Sequence, residues 1–392
     1  MLSKYRLIPN IKVGYNLCDL FIALFIKNNS DKYIFRVSQS IERIFGGSNV
    51  LMTSSGRSAL YYILKYLPQN KVIIPAYTCD VVVEAALLAK KNVIYSHIDE
   101  RTLNTDDYPN LDSDSIVIAT HQYGFPCKII DICEECKRKG AVIIEDCAGA
   151  FGTSIEGQPV GTFGDYAIFS FNASKLINSP STGGFLLVKN KNAYNALKDT
   201  IHFKPCTYKY KAKNLLKAIG FCLDKNAYIH YWLSKSIRHD SSKAHLPAKQ
   251  YSPNPEKQEG YMYGFYDWQA YVVLKQINRL QGLIKKREEL KQVYQDNLTP
   301  VFLGSDFERQ GASIRYPVLL NNRDKIRLRA RELGVEVGFG FEHFVCPDDY
   351  KNELEIGKQI AYIPYSSHFR KKEINQIVKV LNQVSNEQSI NS

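Results

Sequence analysis

Residues 166–175 read Tyr166-Ala167-Ile168-Phe169-Ser170-Phe171-Asn172-Ala173-Ser174-Lys175. The run from Tyr166 to Phe171 is short and mostly apolar, the pattern of a strand buried on both faces. It delivers the chain to a lysine and then to the hydroxyl- and glycine-rich loop Ser181-Thr182-Gly183-Gly184. Similar runs recur on either side: Val72-Ile73-Ile74, Asn92 to Ile98, Ser115 to Ala119, Val142 to Ile144 and Gly184 to Val188. Helical patterns at Ser58–Leu67, Val81–Lys90 and Ile129–Lys139 lie between some of them. Buried strands alternating with helices predict a mainly parallel α/β sheet covered on both faces over residues 46–190. Ligands of such sheets bind at the carboxyl ends of the strands, so the residues just after each strand carry the functional information.

Three of those strand ends bear chemistry. After the turn Gly46-Gly47 comes Ser54-Ser55-Gly56-Arg57-Ser58, opening a helix whose first N–H groups can hold an anion. Serine and glycine there are equally ordinary capping residues. Ile143-Ile144-Glu145-Asp146 ends a strand on an acid in apolar surroundings, the place of a helix cap or of a functional carboxylate. Lys175 sits just beyond a buried strand, an unusual place for a solvated charge. Together these match what pyridoxal phosphate requires. A lysine condenses with its aldehyde, a carboxylate keeps its pyridinium nitrogen protonated, and a helix N-terminus holds its phosphate.

The same residues carry a resemblance. Ser55-Gly56-Arg57-Ser58-Ala59-Leu60, Pro75-Ala76-Tyr77-Thr78, Asp99 with Asn104-Thr105-Asp106, and His121-Gln122-Tyr123-Gly124 follow one another in a specific order. Glu145-Asp146-Cys147-Ala148, Gly161 to Asp165, and Ser170-Phe171 through Lys175 to Gly183-Gly184 complete it. This pattern resembles the DegT/StrS family of sugar aminotransferases, of fold type I, strongly over residues 55–184 and loosely to about 384. The resemblance implies a large domain with a mainly parallel seven-stranded sheet and a smaller C-terminal α/β domain. It implies Lys175 as the lysine bonded to the cofactor, Asp146 as the pyridinium partner, and Ser55, Gly56, Arg57 and Ser170 around the phosphate, with Asn172 beside them. It further implies a nucleotide-linked keto sugar as acceptor, glutamate or glutamine as donor, and a homodimer. The products of such enzymes feed surface polysaccharide, lipopolysaccharide or glycosides.

The chain departs from the family at defined positions. Gly149 stands where a Gln or His faces the cofactor, and Cys79 where an aromatic ring often stacks on it. Gly260-Tyr261-Met262-Tyr263-Gly264 replaces a segment that bears an Asn and an Arg. Arg57 stands where many relatives have Thr, and a charge-assisted pair with the phosphate would replace the lost contacts. Tyr77, His121, Tyr123 and His343 are candidates for the sugar pocket, with structural roles as the alternative. Rival chemistry on the same fold is sugar dehydration or desulfuration. A desulfurase needs an exposed nucleophilic cysteine, for which Cys346 is the loop-like candidate. Cys133 and Cys136 form a C-x-x-C without a second pair at zinc spacing, so they read as helix-lining thiols, and no metal is expected.

With 392 residues the chain exceeds what one core ordinarily holds. The boundaries read as 1–45, a segment packing on the core; 46–200, the large domain; 201–259, a basic aromatic insertion acting as lid or interface; and 260–392, an interface helix with the small domain. Within the last, residues 267–298 read as one long amphipathic helix. The formal charge is +12, and residues 201–250 hold ten Lys/Arg against two Asp. That cluster fits a diphosphate-bearing substrate first and peripheral contact with an anionic membrane second. A catalytically decayed relative acting as a membrane-binding protein is the alternative from another class. Nucleic acid is not expected, for want of a recognised module. Leu20 to Ile26 is too short to span a membrane and lacks a cleavage site after it, and nine cysteines have no framework spacing. A cytoplasmic location is expected.

Overall fold

The computed structural model describes residues 5–28, 30–105, 107–234, 245–253, 259–299, 312–341 and 343–389. Asp106 and, within the basic segment, Lys235, Arg238, Asp240 and Lys243 lie outside the described residues.

The chain opens with helices α1 (Leu17–Phe25) and α2 (Lys32–Ile44), then alternates. The order is β1 (Asn49–Thr53), α3 (Gly56–Tyr66), β2 (Lys71–Pro75), α4 (Asp80–Leu88), β3 (Asn92–Ser96), β4 (Ser115–Thr120), α5 (Ile129–Lys139) and β5 (Val142–Asp146). A two-residue hairpin, β6 (Ser154–Ile155) and β7 (Gln158–Pro159), precedes β8 (Tyr166–Ser170), β9 (Gly184–Val188) and α6 (Lys191–Thr200). Seven strands form one sheet in the order β1-β9-β8-β5-β4-β2-β3. The run β8-β5-β4-β2-β3 is parallel, and β9 is antiparallel to both of its neighbours. All six residues of β4 and all five of β9 are buried, as their unbroken apolar runs demand. The edge strand β1 escapes the sequence pattern because Asn49 and Thr53 bracket only three apolar residues.

Two sequence expectations are corrected. The long helix of residues 267–298 is two helices, Asp267–Ile277 and Leu280–Asn297. The break falls at the exposed pair Asn278-Arg279, while Leu274, Ile277, Leu280 and Leu283 remain in one buried cluster. The core stripe therefore continues across the break, which is why periodicity alone joins the helices. Cys346, read as a loop thiol, lies buried in the short strand Phe344–Cys346, which pairs with His245–Pro247. Burial pushes its thiol up to about 12, the opposite of a reactive desulfurase cysteine. Cys133 and Cys136 do lie on α5, Cys136 fully buried.

The basic segment folds as α7 (Tyr208–Asp224) and α8 (Ala227–Ser234). Leu215, Ala218 and Cys222 of α7 pack with Leu20 and Ala23 of α1 and with Trp268 and Val272. Toward the C-terminus, an antiparallel three-stranded sheet of Tyr316–Leu319, Ile360–Ile363 and Gly338–Phe339 shares a core with Ile326, Ile377 and Leu381.

Candidate active site

The main candidate residues lie at or just beyond the ends of three strands, β1, β5 and β8. Helix α3 starts directly after β1, and its first turn is closed by a capping box. The Ser55 hydroxyl accepts from the Ser58 N–H at 3.1 Å, and the Ser58 hydroxyl from the Ser55 N–H at 3.1 Å. The N–H groups of Gly56 and Arg57 then head the helix without intrahelical acceptors. A Cβ at Gly56 would sit 3.1 Å from the Phe169 carbonyl and 3.2 Å from Ser170 Cβ, and one at Gly184 only 2.4 Å from that carbonyl. Glycine at both positions lets the helix start seat itself on the ends of β8 and β9. This sets the start of α3 against Ser170, with the free N–H groups of Gly56 and Arg57 at its head.

Asp146 ends β5 and is buried. Burial pushes its carboxyl up, while the Ala148 N–H, Lys175 and His121 pull the other way. Lys175 follows β8 and is half-buried. Burial lowers its affinity for a proton, Asp146 opposes this, and Arg315 adds to it. Cys79, preceding α4, also feels the Lys175 charge, and burial pushes its thiol up to about 12. Lys175 is thus within electrostatic reach of both Asp146 and Cys79.

The loop carrying Lys175 is fixed by a residue that sequence reasoning missed. The Asn178 side-chain amide donates to the carbonyls of Ala173 at 3.1 Å and of Lys175. Its backbone exchanges hydrogen bonds with the Gln276 side chain at 3.0 and 2.7 Å. Both residues are fully buried. Gln276, flanked by Val272, Val273, Leu274 and Ile277 on the buried side of its helix, was the available signal.

Glu145, beside Asp146, points to the opposite face of the sheet. Its carboxylate accepts from the N–H groups of Gly161, Phe163 and Gly164 at 2.7–2.8 Å and from His121 Nε2 at 3.1 Å. The Cys127 N–H donates to His121 Nδ1 at 3.2 Å, which assigns the ring proton to Nε2. His121, expected as a substrate contact, is therefore corrected to a positioning role, since it is fully buried with both nitrogens in use. His121, Glu145 and Cys147 bring potential metal ligands within 4.8 Å of one another. The Glu145 oxygens are already saturated by backbone donors, so the cluster is read as a scaffold.

Tyr77 and Tyr123 are likewise enclosed, their hydroxyls 2.9 Å apart. Phe341 stacks on Tyr123 and tilts against Tyr77, tying the sheet ends to the C-terminal region. Their hydroxyls are spent on each other, which leaves His343 as the exposed member of the four sugar-pocket candidates. Its carbonyl accepts from the Asp80 N–H at 3.3 Å, next to Cys79.

Two departures from the family pattern acquire reasons. A Cβ at Gly149 would lie 3.2–3.3 Å from Gly124, Tyr123 and Ile314, so backbone and Ile314 occupy the space of a larger side chain. The Ile314 N–H donates to the Tyr123 carbonyl at 2.8 Å, locking that packing. The Arg57 guanidinium lies 3.6 Å from Glu84, a fully buried carboxylate that also accepts from the Tyr261 hydroxyl at 2.9 Å. Arg57 thus has a partner within the chain, and Tyr261 of the altered segment supplies part of its setting.

The lysine, the adjoining buried carboxylate and the glycine-lined helix start fit pyridoxal phosphate. A family model of DegT/DnrJ/EryC1/StrS aminotransferases matches residues 29–382. The chain belongs to this family. It is 30% identical over 187 residues to GDP-perosamine synthase of Escherichia coli O157:H7, covering 43% of this chain and 50% of that protein. It is 33% identical over 141 residues to UDP-N-acetyl-3-dehydro-alpha-D-glucosamine 3-aminotransferase of Acidithiobacillus ferrooxidans, covering 34% of this chain and 38% of that one. The matches thus span half or less of these curated relatives. Among solved structures, Helicobacter pylori PseC superposes with TM-score 0.72 at 13% identity, covering 97% of this chain and 100% of that one. At that identity the likeness shows the DegT family's fold alone.

Proposed function

We propose that this chain is a pyridoxal-phosphate-dependent aminotransferase that moves an amino group from glutamate or glutamine to a nucleotide-linked keto sugar, for surface polysaccharide, lipopolysaccharide or glycoside synthesis. The observation that carries the reading is the half-buried Lys175 within electrostatic reach of buried Asp146, just after the strand whose end packs against the start of α3. When bound, pyridoxal phosphate supplies an electron sink for the carbon that loses its proton. Ser55, Gly56, Arg57 and Ser170 would hold its phosphate, and Asp146 would keep its ring nitrogen protonated. Burial keeps more of the Lys175 amine unprotonated than in water, which suits it to take a proton from the donor's α-carbon in one half-reaction and to deliver one to the newly aminated sugar carbon in the other.

Arg315 is the candidate for the donor's carboxylate. It lies over the Tyr362 ring at 4.2 Å, acts electrostatically on Lys175, and has no carboxylate partner among the described residues. A guanidinium suits a planar carboxylate through paired hydrogen bonds. The reading includes a homodimer and a cytoplasmic location, the latter supported by nine cysteines that are all free. Among the described residues no helix is long and apolar enough to cross a membrane.

The test is spectroscopic and kinetic. Protein loaded with pyridoxal phosphate should convert to the pyridoxamine form on addition of glutamate or glutamine and return on addition of a nucleotide-linked keto sugar. Loaded protein that responds to neither donor would overturn the reading.

A further inference from the structure

Helix α1 presents an apolar surface to solvent. Leu17, Phe21, Ile22, Leu24 and Phe25 are all exposed, Phe25 at 70%, and the described helix shows no exposed polar side chain. Its polar residue, Asp19, is buried and paired with Lys275. Large exposed apolar patches on a soluble chain mark interaction surfaces. Helix α7 packs on α1, with Lys211 capping the carbonyls of Leu24 and Ile26 at 2.9 and 2.7 Å. By helical spacing the exposed arc of α7 has two strips. Tyr208, Leu216, Ile219 and Leu223 make an apolar one, bordered by Lys209, Lys213 and Lys217. An apolar strip beside lysines is the arrangement of a helix lying in a membrane interface.

A basic cleft opens where α7 meets α8. Two adjoining cavities of about 390 and 420 Å³ share Asn226 and Arg370 and are lined by Arg6, Lys12, Lys225 and Lys372, with no acidic side chain in the lining. Glu373 takes up Lys12 and Arg370 from behind, and Lys225 also donates to the Tyr15 carbonyl. Asn16, which caps α1, lines the cleft, so the cleft reaches the start of that helix. The one acid of α7, Asp224, is paired with His230 at 2.8 Å.

We propose that the α1–α7 face docks on a bilayer surface bearing anionic lipids. Leu17, Phe21, Leu24 and Phe25 enter the headgroup layer, and Lys209, Lys213, Lys217 and the cleft meet lipid phosphates. Charge selects this occupant: a second copy meeting the face would set lysine rows against each other, whereas an anionic surface attracts every one of them. The proposal is independent of the catalytic reading, since binding to vesicles needs no turnover.

The experiment is flotation of the full chain with vesicles of phosphatidylcholine alone and of phosphatidylcholine mixed with phosphatidylglycerol. Binding is expected to the mixed vesicles only and to weaken with salt. Phe21→Ser with Phe25→Ser, and separately Lys213→Glu with Lys217→Glu, should each lower partitioning by about tenfold or more. Thermal unfolding checks that the variants remain folded; these side chains are exposed, so it should be unchanged. Absence of binding to the mixed vesicles, or equal binding to both kinds, overturns the proposal. So does a wild-type dimer in light scattering that Phe21→Ser with Phe25→Ser converts to monomer, for then the face joins two copies.

Discussion

At the carboxyl ends of the sheet, polar groups are buried and almost every one has a partner. On α1 and α7, apolar groups are exposed and the lysines among them face water. Glu145 sits in the interior because three backbone N–H groups and His121 replace its lost water. Phe21 and Phe25 touch each other at 5.1 Å and otherwise keep a large exposed area. The first region invests polar contacts to fix geometry, as chemistry demands. The second leaves apolar area uncovered, as adhesion demands. One chain therefore holds a rigid site and a sticky surface, and substitutions should separate them.

The sharpest separation is expected at Lys175. Lys175→Ala should lower transamination by about 10⁴-fold or more, with vesicle flotation and melting temperature nearly unchanged. Glu145→Ala comes next and acts on structure: stranding three backbone donors and His121 should cost about 3–5 kcal/mol, read by denaturant unfolding. If Glu145→Ala unfolds no more readily than wild type, the site is not held as described.

The comparison can be sharpened by pH through His230, which anchors α8. Burial alone would lower its proton affinity, but Asp224 and Glu336 outweigh this and raise it to about 9. Its stabilising contribution is fully present below the unfolded value near 6.5 and is lost as pH rises through about 9. Roughly 2–3 kcal/mol should disappear across that window, and His230→Gln should flatten the slope. The smallest effect is expected at Arg57. Its pair with Glu84 is long at 3.6 Å and the side chain is about a third exposed, so Arg57→Ala should cost only about 1 kcal/mol of stability. The backbone N–H groups of α3 remain, so cofactor affinity should fall by no more than about tenfold.

Much of the sheet was legible because parallel strands buried on both faces must be continuously apolar, as in Val72-Ile73-Ile74 and Ser115 to Ala119. The triad Asp146, Lys175 and Ser55-Gly56-Arg57 was legible for a related reason. Strand ends convert sequence position into spatial position, so residues far apart in the chain fall on one edge. What stayed hidden depends on partners distant in sequence. Asn178 and Gln276 are 98 residues apart, and the bonds that join them appear only once the helix packs on the loop. His121 looked like a pocket residue because its clamp, Glu145 with the Gly161–Gly164 loop, appears only after β4 and β5 pair. The exposed apolar face of α1 was equally invisible, because an apolar stretch does not disclose that half of it lies uncovered.

The most direct test of the central claim is covalent. Protein reconstituted with pyridoxal phosphate, reduced with borohydride and digested should carry the pyridoxyl label on the peptide containing Lys175, and Lys175→Ala should carry none. A label on another lysine, or no label on the wild-type chain, would contradict the assignment of Lys175 as the lysine that bonds the cofactor.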